Sequence, residues 1–232
     1  MKKLFFYLII FSLLTTIVKA QSLYIDSTRF VGGADACGGT ECRYAFKTVD
    51  GNIFFSGVTN CANGGGNIPV NFVGEENIVV GKLDSNLNVV WVKVYGGSRS
   101  DVPKSAVQTR DGGYAVLTTT YSNDHDVSGN HDTTGSTGDL WVIKIDSNGN
   151  LLWQKCYGSI SDEQAISITT TQDNGLIFFG NSQGQGGDVP SHHYGSAWNY
   201  DWVVIKTDSV GNLQWSKTIG GTGDESSVGG VL

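Results

Sequence analysis

From Asp139 to Gly158 the chain reads DLWVIKIDSNGNLLWQKCYG. Trp141, Ile143 and Ile145 alternate with Val142 and Lys144, the period of two that a strand imposes on its side chains. Asp146-Ser147-Asn148-Gly149-Asn150 then reverses the chain. Aspartate, asparagine and glycine supply the local hydrogen bonds and positive φ angles of a hairpin loop. Leu152 to Tyr157 runs back as the second strand. The pattern recurs as NIVVGKLDSNLNVVWVKVYG from Asn77 to Gly96 and as DWVVIKTDSVGNLQWSKTIG from Asp201 to Gly220. Lys82, Lys144 and Lys206 are 62 residues apart, and so are Asp84, Asp146, Asp208 and Trp91, Trp153, Trp215. A fixed period of this length marks a tandem repeat.

Each repeat has a second hairpin. SAVQTRDGGYAVLTTTY (Ser105 to Tyr121) matches SITTTQDNGLIFFGNSQ (Ser167 to Gln183), and a looser copy, YAFKTVDGNIFFSGVTN, spans Tyr44 to Asn60. Two hairpins give four strands per unit, and no segment carries helical periodicity with caps. Ile78-Val79-Val80 and Trp202-Val203-Val204-Ile205 are apolar on both faces, which calls for sheets stacked face to face. The expected fold class is therefore all-β, tandem four-stranded blades of a β-propeller with a 62-residue repeat, incomplete as it stands. The boundaries read as a leader at 1–20, an irregular partial blade with a cysteine cluster at 21–76, blade A at 77–138, blade B at 139–200 and a partial, truncated blade C at 201–232. The hairpin at Tyr44–Asn60 is expected to supply the strands that copy C lacks. Trp91, Trp153 and Trp215 read as packing anchors between blades, with Asp84, Asp146 and Asp208 as turn anchors.

The first 20 residues change the compartment. Lys2 and Lys3 precede a largely apolar run, and Val18-Lys19-Ala20 suits signal-peptidase cleavage, so the protein is expected to be exported, to the cell surface, the medium or the periplasm. The mature chain then has 12 basic and 22 acidic residues, a net charge of −10 with no further membrane-spanning stretch. That balance excludes nucleic acid as a partner, because phosphate contacts need clustered Lys and Arg. Cys37, Cys42, Cys61 and Cys156 leave several pairings open, and their spacing does not make a zinc site.

The pattern D-x-W-V-x-K-x-D-x-x-G-N-L-x-W-x-K-x-x-G-G, followed by S-x-x-x-T-x-D-G-G-Y, resembles the tandem propeller repeats of proteins secreted by Bacteroidetes, cargo of the type IX system. The resemblance covers nearly all of Ser27 to Leu232. It implies propeller blades, export and often a C-terminal sorting domain, for which this sequence has no counterpart. The expectation is of a fragment, or of a chain that needs missing blades or self-assembly.

Candidate chemistry lies in the long loops. Asp124, Asp126 and Ser128 before Gly129 open like a calcium loop, with Asp132 as a further oxygen, although Gly135 stands where such a loop places glutamate. Calcium is the one cofactor this suggests. His131 and His193 are aligned in successive loops, and Tyr194, Trp198 and Tyr200 add aromatics of the kind that grip sugars or protein surfaces. His131→Ala is expected to leave folding intact. Nucleophile-elbow, phosphate-loop and H-E-x-x-H motifs are missing from the sequence, so no catalytic residue is assigned. The leading reading is an exported, non-catalytic module that binds an extracellular protein or glycan. The alternatives are a glycan-active enzyme with carboxylates drawn from different blades, or a lectin-like carbohydrate-binding module.

Overall fold

The computed structural model describes residues 39–60, 66–69, 74–193 and 199–225. The leader, Cys37, Cys61, Tyr194 and Trp198 lie outside these residues. Twelve strands follow one another: β1 (Thr40–Lys47), β2 (Ile53–Thr59), β3 (Asn77–Leu83), β4 (Val89–Tyr95), β5 (Asp101–Gln108), β6 (Tyr114–Thr120), β7 (Asp139–Ile145), β8 (Leu151–Tyr157), β9 (Glu163–Thr170), β10 (Leu176–Ser182), β11 (Asp201–Thr207) and β12 (Leu213–Ile219). Among the described residues there is no helix, hence none long and apolar enough to cross a membrane. The strands form three antiparallel four-stranded sheets, β1–β4, β5–β8 and β9–β12, in meander order, which are blades of propeller type.

The sheets run half a repeat out of phase with the sequence blocks at 77–138 and 139–200. Each joins the second hairpin of one repeat to the first hairpin of the next. The Tyr44–Asn60 hairpin, β1–β2, accordingly pairs with β3 of its own sheet, and β11 of copy C pairs with β10. The reason is that strand pairing ignores connector length. Residues 96–100 and 158–162 are short but pass between sheets, whereas the long loops 121–138 and 183–200 join neighbouring strands of one sheet.

Within each sheet the repeat is reproduced atom by atom. Lys82, Lys144 and Lys206 oppose Trp91, Trp153 and Trp215, and the register slips once immediately afterwards in all three sheets. Asp84, Asp146 and Asp208 hold their turns alike: Oδ1 accepts from the backbone N–H two and four residues on, each time at 2.8–3.0 Å. The lysines bury their stems and meet the preceding hairpin's aspartate, Lys82 with Asp50 (2.6 Å), Lys144 with Asp111 (2.8 Å) and Lys206 with Asp173 (2.9 Å).

Two apolar layers hold the three sheets together. Between the first and second sheets lie Phe54, Ile78, Val80, Tyr114, Val116, Trp141, Ile143 and Ile145. Between the second and third lie Leu117, Leu140, Val142, Phe178, Val203 and Ile205. Strand β7 thus sends alternate side chains into both layers and is buried throughout, as apolar character on both faces required. The tryptophans do not share one fate. The Trp91 ring meets Phe54 and Tyr114, and its Nε1–H donates to Ser147 O at 3.1 Å in the next sheet's turn. Trp153 packs against the second layer, whereas Trp215 is 42% exposed.

Candidate functional site

The tight turns gather at one end of the sheets and the long loops at the other. Both loops are fastened by the same devices. Asp126 N–H donates to Gly96 O (3.2 Å) while its Oδ2 accepts from Gly96 N (3.2 Å); Asp188 and Gly158 repeat this at 2.8 and 3.3 Å. The neighbouring Val127 and Val189 are buried in the first and second apolar layers. Farther along, Oδ2 of Asp139 accepts the His131 backbone N–H (3.1 Å) and lies 2.7 Å from its Nδ1. Asp201 holds His193 in the same way, at 2.6 and 3.1 Å. His131 therefore anchors its loop rather than standing free, and His131→Ala removes a structural contact. Its Nε2 lies 3.6 Å from Asp188, carried by the third sheet's loop.

Beneath the loops lies a row of buried acids. Asp101 Oδ2 accepts from Gly97 N (2.7 Å), Ser122 Oγ (3.1 Å) and Asn77 Nδ2 (3.4 Å), and Thr120 Oγ1 donates to Oδ1. One repeat later Glu163 accepts from Ser159 N (2.7 Å), Ser159 Oγ (2.8 Å) and Ser182 Oγ (2.6 Å). Burial pushes the Asp101 carboxyl up to about 6 against the pull of these donors. It pushes Glu163 up to about 7, with Ser182 and Ser159 opposing and the Asp139 charge adding to the rise. Burial likewise raises Asp139, with the His131 hydrogen bond opposing it.

Where Asn77 of the first sheet gives its amide to Asp101 of the second, the next junction sets Asp139 of the second sheet against Glu163 of the third. A side chain at Gly158 would collide with both Asp139 Oδ1 and Glu163 Oε2, so the two carboxyls share the space that this glycine leaves open. Among the described residues no hydrogen-bond donor reaches Asp139 Oδ1. A proton on Glu163 lowers the repulsion between the two, which adds to the rise that burial chiefly produces. The row escaped the sequence reading because isolated acids at strand starts look like turn residues. The signal was present in the period, with Asn77, Asp139 and Asp201 at one repeat position and Asp101, Glu163 and Glu225 at another.

The calcium-loop residues are drawn to different partners. Asp124 Oδ1 accepts from Ser98 N (2.8 Å), Asp126 is held by Gly96, and Ser128 Oγ accepts from Gln154 Nε2 (2.5 Å). Asp132 caps its own turn, where Thr134 above all, then the Thr137 and Ser136 N–H groups, hold its carboxyl well below the usual range. Tyr200 donates to Asp162 Oδ2 and accepts from Gln164, both at 2.8 Å. His192 is buried with its Nε2 3.0 Å from Asn199 O. Cys42 and Cys156 are free thiols, and burial raises the pKa of each. The exposed residues of the 121–138 loop are polar or glycine: Asn123, Asp124, His125 at φ 54°, Ser128, Gly129, Thr133, Thr134 and Ser136. At the turn end a half-open cleft of about 350 Å³ is lined by Thr109, Arg110, Asp111, Lys144, Asn174 and Ser209.

No protein-family model and no curated protein matches the chain. Among solved structures it is similar to a protein of unknown function from Bacteroides caccae, at 10% identity and a TM-score of 0.40, over 77% of this chain and 61% of that one. It is also similar to the hydrazine synthase of Kuenenia stuttgartiensis, at 12% identity and a TM-score of 0.38, over 75% of this chain and 53% of that one. The chain thus spans between about half and three fifths of the proteins it resembles.

Proposed function

We propose that this chain is an exported, non-catalytic propeller module whose loops at 121–138 and 183–200 bind an extracellular or cell-surface protein or glycan. One observation carries the reading. His131, His193 and the buried carboxylates Asp139, Asp201 and Glu163, which could do chemistry, are tied to backbone or to one another, and the histidine–aspartate fastening recurs in successive repeats. A reaction centre is built once, whereas a fastening recurs. The exposed side chains that remain are suited to hydrogen bonding with a surface. Export rests on the basic and apolar leader, and kinship with type IX cargo on the repeat pattern.

The test is to immobilise the full mature chain and probe it with a glycan panel and with surface proteins of the producing cell. A loop variant, His125→Ala with Thr133→Ala, whose side chains are exposed, should lose the binding that the parent shows while unfolding at the same urea concentration. Hydrolysis of a polysaccharide by the parent, abolished by one Asp or Glu substitution, would overturn the proposal in favour of an enzyme.

A further inference from the structure

The two junctions between sheets share a clasp. At the first, the Trp91 indole lies over the Asp146–Asn150 turn, and the Tyr95 hydroxyl donates to Gly149 O. At the second, Trp153 lies over the Asp208–Asn212 turn, Tyr157 donates to Gly211 O at 2.6 Å, and Lys155 Nζ donates to Asn212 Oδ1 at 2.8 Å. Glycine is required at the seat. A Cβ at Gly149 would stand 2.8 Å from the Trp91 ring, and one at Gly211 2.9 Å from that of Trp153, with φ at +78° and +79°.

The third sheet carries the clasp, and among the described residues no turn occupies it. Pairing places Trp202, Val204, Lys206, Trp215, Lys217 and Ile219 on the face that in the second sheet holds Leu140, Val142, Lys144, Trp153, Lys155 and Tyr157. There Trp202 is 40%, Trp215 42% and Ile219 52% exposed. The backbone also already leaves this sheet along the route used at the other junctions. Glu225 N–H donates to Tyr200 O (2.8 Å) as Glu163 N–H does to Gly138 O (2.7 Å), and Glu225 Oε2 accepts from Gly221 N (3.0 Å) as Glu163 accepts from Ser159 N.

We propose that the open face of the third sheet is a docking surface for one more sheet of this same repeat, carrying glycine in its Asp-x-x-Gly-Asn turn, and that Leu87 denies the seat to a second copy of this chain. The first sheet's own turn is Asp84-Ser85-Asn86-Leu87-Asn88, with Leu87 in the glycine position at φ 64°. In a head-to-tail pair its isobutyl group would fall where even a methyl group meets the indole. The incoming turn instead offers a bare glycine to Trp215 and an asparagine to Lys217. Ile219 replaces tyrosine, so the hydroxyl half of the clasp is absent and the indole half dominates.

This partner is independent of what the loops bind, and the experiment has no loop readout. The chain is continued after Glu225 with a copy of residues 164–219 in place of residues 226–232, once unchanged and once with leucine in place of the glycine matching Gly211. Leu87 shows that such a turn closes with leucine in it, so the second extension folds locally. The unchanged extension should shield Trp215 from iodide, read as the difference from a Trp215→Phe partner, by severalfold and raise the urea midpoint. The leucine extension should leave Trp215 as quenchable as in the parent. Equal shielding by both extensions, or by neither, would overturn the proposal. So would a parent that dimerises in sedimentation and is dissociated by Trp215→Ala, since the occupant would then be a second copy.

Discussion

The two ends of the sheets handle aspartate in opposite ways. At the turn end Asp50, Asp111 and Asp173 sit in water beside nearly buried lysines. The Asp111 carboxyl is held at about 2, because hydrogen bonds from Lys144 and Thr109 outweigh the effect of burial. At the loop end Asp101 and Glu163 have no lysine, only hydroxyl, amide and peptide donors, and burial wins. The same residue type is thus kept ionised at one end and pushed toward neutrality at the other. Solvent and a lysine partner at one end, and burial with only neutral donors at the other, make the difference.

The largest expected effect breaks the loop end by pH. Glu163 has a raised folded pKa, so its stabilising contribution is complete below its unfolded value of about 4.5 and is lost as pH rises through about 7. The slope reaches about 1.4 kcal/mol per pH unit, on the order of 3 kcal/mol over the window. Asp101 adds to it between about 4 and 6, and His131, raised chiefly by its bond to Asp139, acts in the same direction. At the turn end the sign reverses: the lowered Asp111 gives stability that disappears as pH falls below about 4 toward 2. Urea unfolding should therefore show greatest stability in mild acid, and Glu163→Gln should flatten the alkaline limb. A parent more stable at pH 8 than at pH 5 would contradict the buried-acid row.

A smaller effect separates fastening from exposure. His131→Ala should cost about 2 kcal/mol, because Asp139 Oδ2 keeps only one donor in a buried place. His125→Ala, on the exposed side of the same loop, should fall within about 0.5 kcal/mol of the parent. Equal losses for the two would mean that burial does not distinguish them.

At the turn end, Asp146→Ala removes the side-chain acceptor of three hydrogen bonds in an exposed turn and should cost about 1 kcal/mol by the same measurement. Asp111→Asn should cost under about 1 kcal/mol, and the difference should shrink in 1 M salt. Lys144 keeps its bond to Ile145 O at 3.2 Å, and Asp111 faces solvent. A large, salt-independent loss would mean that this pair is sealed from water and resembles the loop end after all.

The sequence displayed what is local. Hairpins, their Asp-x-x-Gly-Asn turns and the two-faced apolar strands all follow from residues within about 20 positions of one another, and they stand where the pattern placed them. The sheet boundaries were not legible. Whether β4 pairs with β5 or hands over to a new sheet depends on non-local pairing, and the short connector at 96–100 pointed the wrong way. At the site, His131 and His193 were visible as an aligned pair, but their purpose lay in Asp139 and Asp201, eight residues on, which read as the opening residues of strands. Asp124 and Asp126 matched a ligand motif by spacing alone. Backbone N–H groups of the 96–98 connector, which no motif contains, claim both.

The half-repeat offset also bears on how such a gene can change. Because every sheet is sewn from the tail of one 62-residue block and the head of the next, a recombination event that inserts or deletes one whole block leaves only complete sheets, wherever its breakpoints fall. Both parental hairpins find the partner strands they would have met before. Each new junction inherits a tryptophan, a lysine and a receiving turn already in register.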